Sequence, residues 1–380
     1  MPLYPLYQLL FADHGLSAAQ ISSLFVIWSV TTFLLEVPSG AWADAFSRRR
    51  LLVWGALLGG LGFGLWVTMP SYPGFAAGFV LWGAGSALVS GTFEALVYDE
   101  LTLRHAQEAY AGLIGRATTA ALATTLAATA LAAPLFALGG YELAGAVSVL
   151  VCLGRALLAR SLPEAERVAE ADATKDLAAA AGPLRRWHGM LRAGLAETAQ
   201  TRLVRHAVLL VALLAGFLAV EEYFPLLARE MGASTEAVPL LVAVTVAAQA
   251  LAGLLAGPAS RRPGLPNAWG LAGAAVLTAG GALSGHVSGF LPIAVGYGVL
   301  QLVLILADAR LQDSIAGPAR ATVTSVSGLL SELVAIALFA GFALGSAWYG
   351  TTVLVAALAV PVLFVAAALP RWLPGAPGTC

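Results

Sequence analysis

Glu36, Glu94, Arg116, Glu221, Glu222 and Glu332 each stand inside a long apolar run. An ionisable side chain is costly in such a place, and where the run crosses a membrane it marks a solute pathway or a proton site. Glu36, Glu94 and Arg116 fall at a similar depth, each about two helical turns from the same end of its run. An apolar cavity favours a protonated carboxyl, whereas a neighbouring Arg favours the ionised form. Glu94 first and Glu36 second are therefore expected to take up and release a proton, with Arg116 as the modulating charge. A permanent buried ion network that never titrates is the competing reading. Glu94 and Tyr98 are four residues apart and share a helix face.

Glu221 and Glu222 are adjacent, so their side chains point ~100° apart, and at most one looks squarely into a central cavity. Glu332 has no basic neighbour in sequence and is a further carboxylate for a proton or a cationic solute. A protonated Glu332 packed on a Ser or a carbonyl is the plainer reading. Tyr98, Tyr223, Tyr297, Gln301 and Trp28 could line the same cavity, although aromatic and amide side chains in apolar runs often only pack.

A second group stands at the ends of the runs. Asp44 follows Gly40 by four residues, Arg48 and Arg49 come one turn later, and Asp99 and Glu100 close another run on the same side. Carboxylates from two helices around one Arg form a latch that can hold a gate shut and must break for the gate to open. An ordinary surface salt bridge, worth ~0–1 kcal/mol, is the alternative.

These residues must be held by membrane helices. Hydrophobic residues make up 59% of the 380 and charged residues only 11%, against about 25% charged in a soluble domain. A spanning helix needs ~20 apolar residues. The pattern predicts spans at 19–43, 51–69, 74–101, 109–138, 141–160, 205–228, 236–256, 267–285, 288–312, 321–346 and 349–369. The lengths suit helices and not the ~10-residue alternating strands of a barrel. MPLYPLYQLLFA reads as a twelfth helix with its inner half absent, or else as a short re-entrant piece. No basic segment precedes it, which argues against a signal peptide. With the spans alternating, Arg48, Arg49, Arg50, Arg104, Arg261, Arg262, Arg310, Arg320, Arg371 and the segment from Arg160 to Arg205 share one side, and only Arg229 falls opposite. The excess positive charge marks that side, with both termini, as cytoplasmic.

The chain also repeats itself. Shifted by 213 positions, Gly40 falls on Gly253, Ser47 on Ser260, Arg48 on Arg261, Gly83 on Gly296, Gly85 on Gly298, Glu100 on Asp313 and Gly115 on Gly328. A membrane protein of two similar halves suggests alternating access to a site between them. The expected organisation is a six-helix bundle over 1–160, a cytoplasmic linker over 161–204, a second bundle over 205–369 and a cytoplasmic tail over 370–380. In the linker, Leu184, Trp187, Leu191 and Leu195 recur at helical spacing, as in a helix lying on the membrane surface. A loosely ordered linker is the other reading. Cys152 and Cys380 suit neither a disulfide framework nor a metal site. No P-loop, GxSxG or nucleotide fingerprint occurs. No nucleophile–base pair points to an enzyme.

Two six-helix halves and the Gly40–Asp44–Arg48–Arg49 spacing resemble the major facilitator superfamily of secondary transporters, over nearly the whole chain. The family's loop signature reads G-x-x-x-D-R-x-G-R-R, and this chain departs at Ala45 and Ser47. The stretches EVPSG and SGTFEALVYDEL look like prokaryotic members. The resemblance implies an all-α membrane fold of two pseudo-symmetric six-helix bundles. It implies no cofactor, no nucleic-acid partner, and a monomer in the plasma membrane that binds a small organic solute and couples to protons. It gives the latch residues their gating role. Two hallmarks of drug antiporters in this superfamily are missing, an Arg where Phe79 stands and a Gly-Pro-rich fifth helix. Proton-coupled export is the expected function. Uptake, or a non-transporting membrane sensor on the same scaffold, are the alternatives.

Overall fold

The computed structural model describes residues 1–163, 202–262, 266–314 and 320–373, apart from the side chains at 36–41, 43–45, 107, 111, 320–322 and 325. Within them the chain is helical and holds no strand. The helices are α1 (Tyr7–Asp13), α2 (Ala18–Ala45), α3 (Arg48–Thr68), α4 (Tyr72–Val89), α5 (Thr92–Leu103), α6 (Tyr110–Ser161), α7 (Arg202–Leu218), α8 (Phe224–Glu230), α9 (Val238–Ser260), α10 (Ala268–Leu283), α11 (Phe290–Ser314), α12 (Arg320–Gly345), α13 (Thr351–Ala357) and α14 (Ala359–Trp372). The surface-lying helix expected around Leu184–Leu195 falls outside the described residues.

Nine stretches among the described residues are long and apolar enough to cross a membrane. One of them, Gly112–Ser161, holds two helices, because α6 leaves helical geometry at Gly139 and Gly140. That is where the sequence divides the 109–138 and 141–160 spans. Ala268–Leu283 is apolar but shorter, and α1 has only seven residues. The expected count of twelve is thus met in part. Three expected single spans are interrupted. The 74–101 run breaks at Ser90 and at Gly91, whose φ of +67° favours glycine. The 205–228 run changes to a 3₁₀ turn at Ala219–Tyr223, and the 349–369 run breaks at Leu358.

The chain forms two compact units. The first comprises Met1–Leu16 and the chain from Leu24; the second comprises Ser17–Ser23 and everything from α7 onward. In the first unit α3 packs along α4 and α6. Glycine permits the close approach: a Cβ on Gly85 would lie 2.6 Å from the Gly55 carbonyl oxygen, inside contact distance. Such small-residue seams suit lipid, where dispersion and not hydrophobicity drives helix association. In the second unit α11 packs on α9 and α10, and a Cβ on Gly296 would lie 2.6 Å from the Ala274 carbonyl oxygen. Gly85 and Gly296 therefore do the same job, each meeting the helix before its own. The 213-residue offset pairs Gly85 with Gly298 and Gly83 with Gly296, whereas by their contacts they pair crosswise, since a Cβ on Gly83 would lie 3.1 Å from the Trp28 carbonyl oxygen of α2 and one on Gly298 3.0 Å from that of Ala248 on α9. Sequence spacing cannot separate two glycines that stand two residues apart in both copies.

The short α1 is anchored firmly in the first unit. Tyr7 and Phe11 lie among Trp66, Phe75 and Phe79, with Phe11 and Phe75 at 4.1 Å between centroids and Tyr7 and Trp66 at 5.1 Å. The Leu3 amide donates to Ser148 Oγ at 2.9 Å, and the Tyr141 hydroxyl donates to Asp13 at 2.5 Å.

Candidate functional site

In the second unit three helices converge on Glu221. Pro225 stands in the first turn of α8 and has no N–H to donate, so a continuous α-helix through Glu221 would lack a hydrogen bond there. The chain passes the gap in the 3₁₀ turn Ala219–Tyr223, which carries Glu221 and Glu222. Tyr297, from α11, places its hydroxyl 2.8 Å from Glu221 Oε2 and 2.8 Å from the Leu218 carbonyl oxygen. Gln249, from α9, donates its side-chain N–H to the same Oε2 at 3.1 Å. Gly298 lets α11 come close enough to α9 for both to reach, since a Cβ there would lie 3.0 Å from the Ala248 carbonyl oxygen. Among the described residues no Lys or Arg makes an ion pair with Glu221.

This geometry has a property that follows from counting protons. A tyrosine hydroxyl carries one hydrogen, and Tyr297 faces two acceptors. With Glu221 ionised, that hydrogen serves the carboxylate or the Leu218 carbonyl, not both. With Glu221 protonated at Oε2, the carboxyl donates to the Tyr297 oxygen and Tyr297 donates to Leu218. Leu218 ends α7, where the last carbonyls have no α-helical partner. Protonation of one carboxyl therefore completes a chain of hydrogen bonds that reaches the end of a membrane helix.

Of the other residues expected near a cavity, Glu222 is buried, and Tyr223 stacks on Phe342 at 3.8 Å and donates to Ser22 Oγ at 2.8 Å. Gln301 follows Tyr297 by one turn on α11. Glu332 is partly buried on α12. Gln249 was not among the expected residues. No spacing in the sequence links it to Glu221, and only the packing of α9 on α11 brings the two together.

In the first unit, Arg48 begins α3 and pairs with Asp99 of α5, Nη1 to Oδ2 at 2.5 Å. Arg48 is largely buried and its Nε has no hydrogen-bond partner among the described residues, while Asp99 is more exposed. Glu100 pairs instead with Arg104 one turn on, at 3.0 Å. Arg49 donates to the Leu162 carbonyl oxygen at 3.3 Å. Gly40, Asp44 and Glu36 lie on α2, and their surroundings are outside the described residues.

Glu94 sits exposed in the first turn of α5, where a carboxylate favours the free amides of the helix end. Arg116 is exposed on α6, and no ion pair joins it to Glu94. Tyr98 meets Tyr110 edge-on at 5.6 Å. Trp28 stacks on Trp82 at 5.2 Å. Phe79, where drug antiporters carry an Arg, is wholly buried among aromatic rings. No cluster of three metal-ligating side chains occurs among the described residues.

The sequence profile of the major facilitator superfamily matches residues 1–340. No curated protein matches significantly. Solved structures of similar fold include a D-xylose-proton symporter (16% identity, 99% of this chain and 93% of that one, TM-score 0.67). They also include a bacterial homologue of the iron transporter ferroportin in an inward-facing state (19%, 97% and 93%, 0.67) and the nucleoside transporter NupG (12%, 97% and 95%, 0.69). At these identities the likeness is one of fold. With the profile covering most of its length, this multi-pass membrane chain belongs to the major facilitator superfamily of transporters.

Proposed function

We propose that this protein is a proton-coupled secondary transporter of a small organic solute and that Glu221 carries the coupling proton. The observation that supports this reading is the Tyr297 hydroxyl between Glu221 and the Leu218 carbonyl. Coupling needs a carboxylate whose protonation changes the hydrogen bonding of a moving element. Glu221 has that relation to the broken α7–α8 helix, and its partners, Tyr297 and Gln249, are neutral donors that leave both protonation states open. Glu94 stands in the first turn of α5, where its carboxylate favours the free amides of that helix end. Glu36 and Glu332 are the remaining carboxylates in the proposal, after Glu221. Export is the proposed direction, across the plasma membrane, with the arginine-rich side cytoplasmic. One of the similar structures is a D-xylose-proton symporter, which agrees with proton coupling.

The proton site can be tested before the solute is known. Infrared difference spectra of the full chain in lipid, between acid and alkaline buffer, should show a carboxyl band that Glu221→Gln removes and Glu94→Gln leaves. A thermal-shift screen of sugars, nucleosides and organic cations at two pH values supplies a solute for transport assays in vesicles. Glu221→Gln should then abolish accumulation driven by a pH gradient and keep solute exchange. Full accumulation by that variant would remove Glu221 from the coupling role.

A further inference from the structure

At the end of the first unit that carries Arg48, the N-terminus of α3 and the C-terminus of α6 enclose a cleft of about 420 Å³, lined by Arg49, Arg50, Val53, Trp54, Leu57 and Arg160. Three of the six described residues that line it are arginines. Among the described residues no carboxylate lines it, and none makes an ion pair with Arg50 or Arg160. Arg49 and Arg50 also stand in the first turn of α3. The positive end of a helix dipole disfavours a cation and favours an anion at that place, so an anion bound at Arg50 would meet both the guanidinium and the helix end.

The rest of the lining says what kind of anion. Arg49, Val53 and Leu57 follow one another at four-residue intervals and form one stripe along α3. Arg50 and Trp54 form the adjacent stripe. A ligand with its anionic group on the guanidinium groups would lay an apolar tail along Val53, Trp54 and Leu57. Trp54 is 58% exposed, and an exposed Trp near a helix end is the usual anchor at headgroup level. Guanidinium forks match phosphate oxygens two at a time. We propose that this cleft is a binding site for one anionic phospholipid. The phosphate sits on Arg49, Arg50 and Arg160, and an acyl chain lies along α3. A basic pocket between spanning helices on the positive side of a membrane protein is where such headgroups are held.

Native mass spectrometry of the detergent-solubilised full chain tests this, with phosphatidylglycerol, cardiolipin and phosphatidylcholine titrated separately and inorganic phosphate as competitor. Wild type should retain one anionic lipid in preference to phosphatidylcholine, with retention falling as salt rises. Arg50→Gln/Arg160→Gln should weaken that retention about thirtyfold. Arg104→Gln/Arg371→Gln, which removes two arginines outside the cleft, should not. Unchanged melting in detergent shows that the double variant is folded, and Arg50→Lys/Arg160→Lys gives a second reading by keeping the charge and losing the fork. Equal retention of all three lipids, no loss in the glutamine variant, or displacement by millimolar inorganic phosphate would each overturn the proposal, the last in favour of a free-anion site.

Discussion

Tyr297 holds one hydroxyl hydrogen between two acceptors, which gives its removal a specific consequence. Tyr297→Phe deletes the link between Glu221 and Leu218 without changing the ring, so the loss should be one hydrogen bond, about 1 kcal/mol of stability. Solute exchange should persist while pH-driven accumulation falls. A variant that accumulates like wild type would show that the link plays no part in coupling. The ion pair in the first unit allows a second distinction. Asp99 meets Arg48, whereas Glu100 is occupied by Arg104. Asp99→Asn takes the charged partner from a largely buried guanidinium and should cost about 1–2 kcal/mol, while Glu100→Gln removes a one-turn helix pair with the exposed Arg104, worth about 0.3–0.5 kcal/mol. Unfolding titrations in SDS should rank them in that order, and the reverse order would place Arg48's main partner at Glu100. Sequence alone could bring Arg48 to that end of α5, because both lie at run ends on one side. It could not choose between neighbouring carboxylates, since the choice is made by a rotation of ~100° about the helix.

Helices were legible to within a few residues because apolar runs of spanning length have few other folds open to them. Their interruptions were harder to read. Gly139–Gly140 was evident as a division between spans, but Gly91 and Pro225 each sit inside an unbroken apolar run and interrupt it through backbone geometry. The breaks matter because one begins the helix that carries Glu94 and the other holds Glu221. Packing adds a test at this scale. Gly85→Ala and Gly296→Ala each push a methyl to 2.6 Å from a carbonyl oxygen of the neighbouring helix, and overpacking of this kind costs about 1–3 kcal/mol. Gly115, Gly253 and Gly328 belong to the same sequence repeat, yet a Cβ at any of them meets nothing within 4 Å. Gly253→Ala should therefore be neutral or stabilise by up to about 1 kcal/mol. If all three substitutions behaved alike in thermal melts, the close helix approaches would have no energetic weight.

Across the whole molecule, the superfamily was readable from two signals, the run lengths and the Gly40–Arg49 spacing, and the match over residues 1–340 bears it out. The solute was not readable. Chain order carries no record of which side chains meet across separate helices; Gln249 and Glu221 are one such pair. The division into two units nevertheless permits a functional test of alternating access. In a Cys152→Ser/Cys380→Ser background, spin labels at Arg104→Cys and Arg261→Cys report between units at one expected membrane face, and labels at Ser71→Cys and Ser288→Cys report at the other. Arg104→Cys with Ser71→Cys reports within the first unit. If each unit moves as a body and protonation selects the state, lowering the pH should lengthen one between-unit distance, shorten the other and leave the within-unit distance fixed. The same pH step applied to Glu221→Gln should move neither, because its side chain no longer titrates. Two between-unit distances that lengthen together would indicate loosening of the protein in place of rocking, and a full response in Glu221→Gln would move the proton to Glu36 or Glu332.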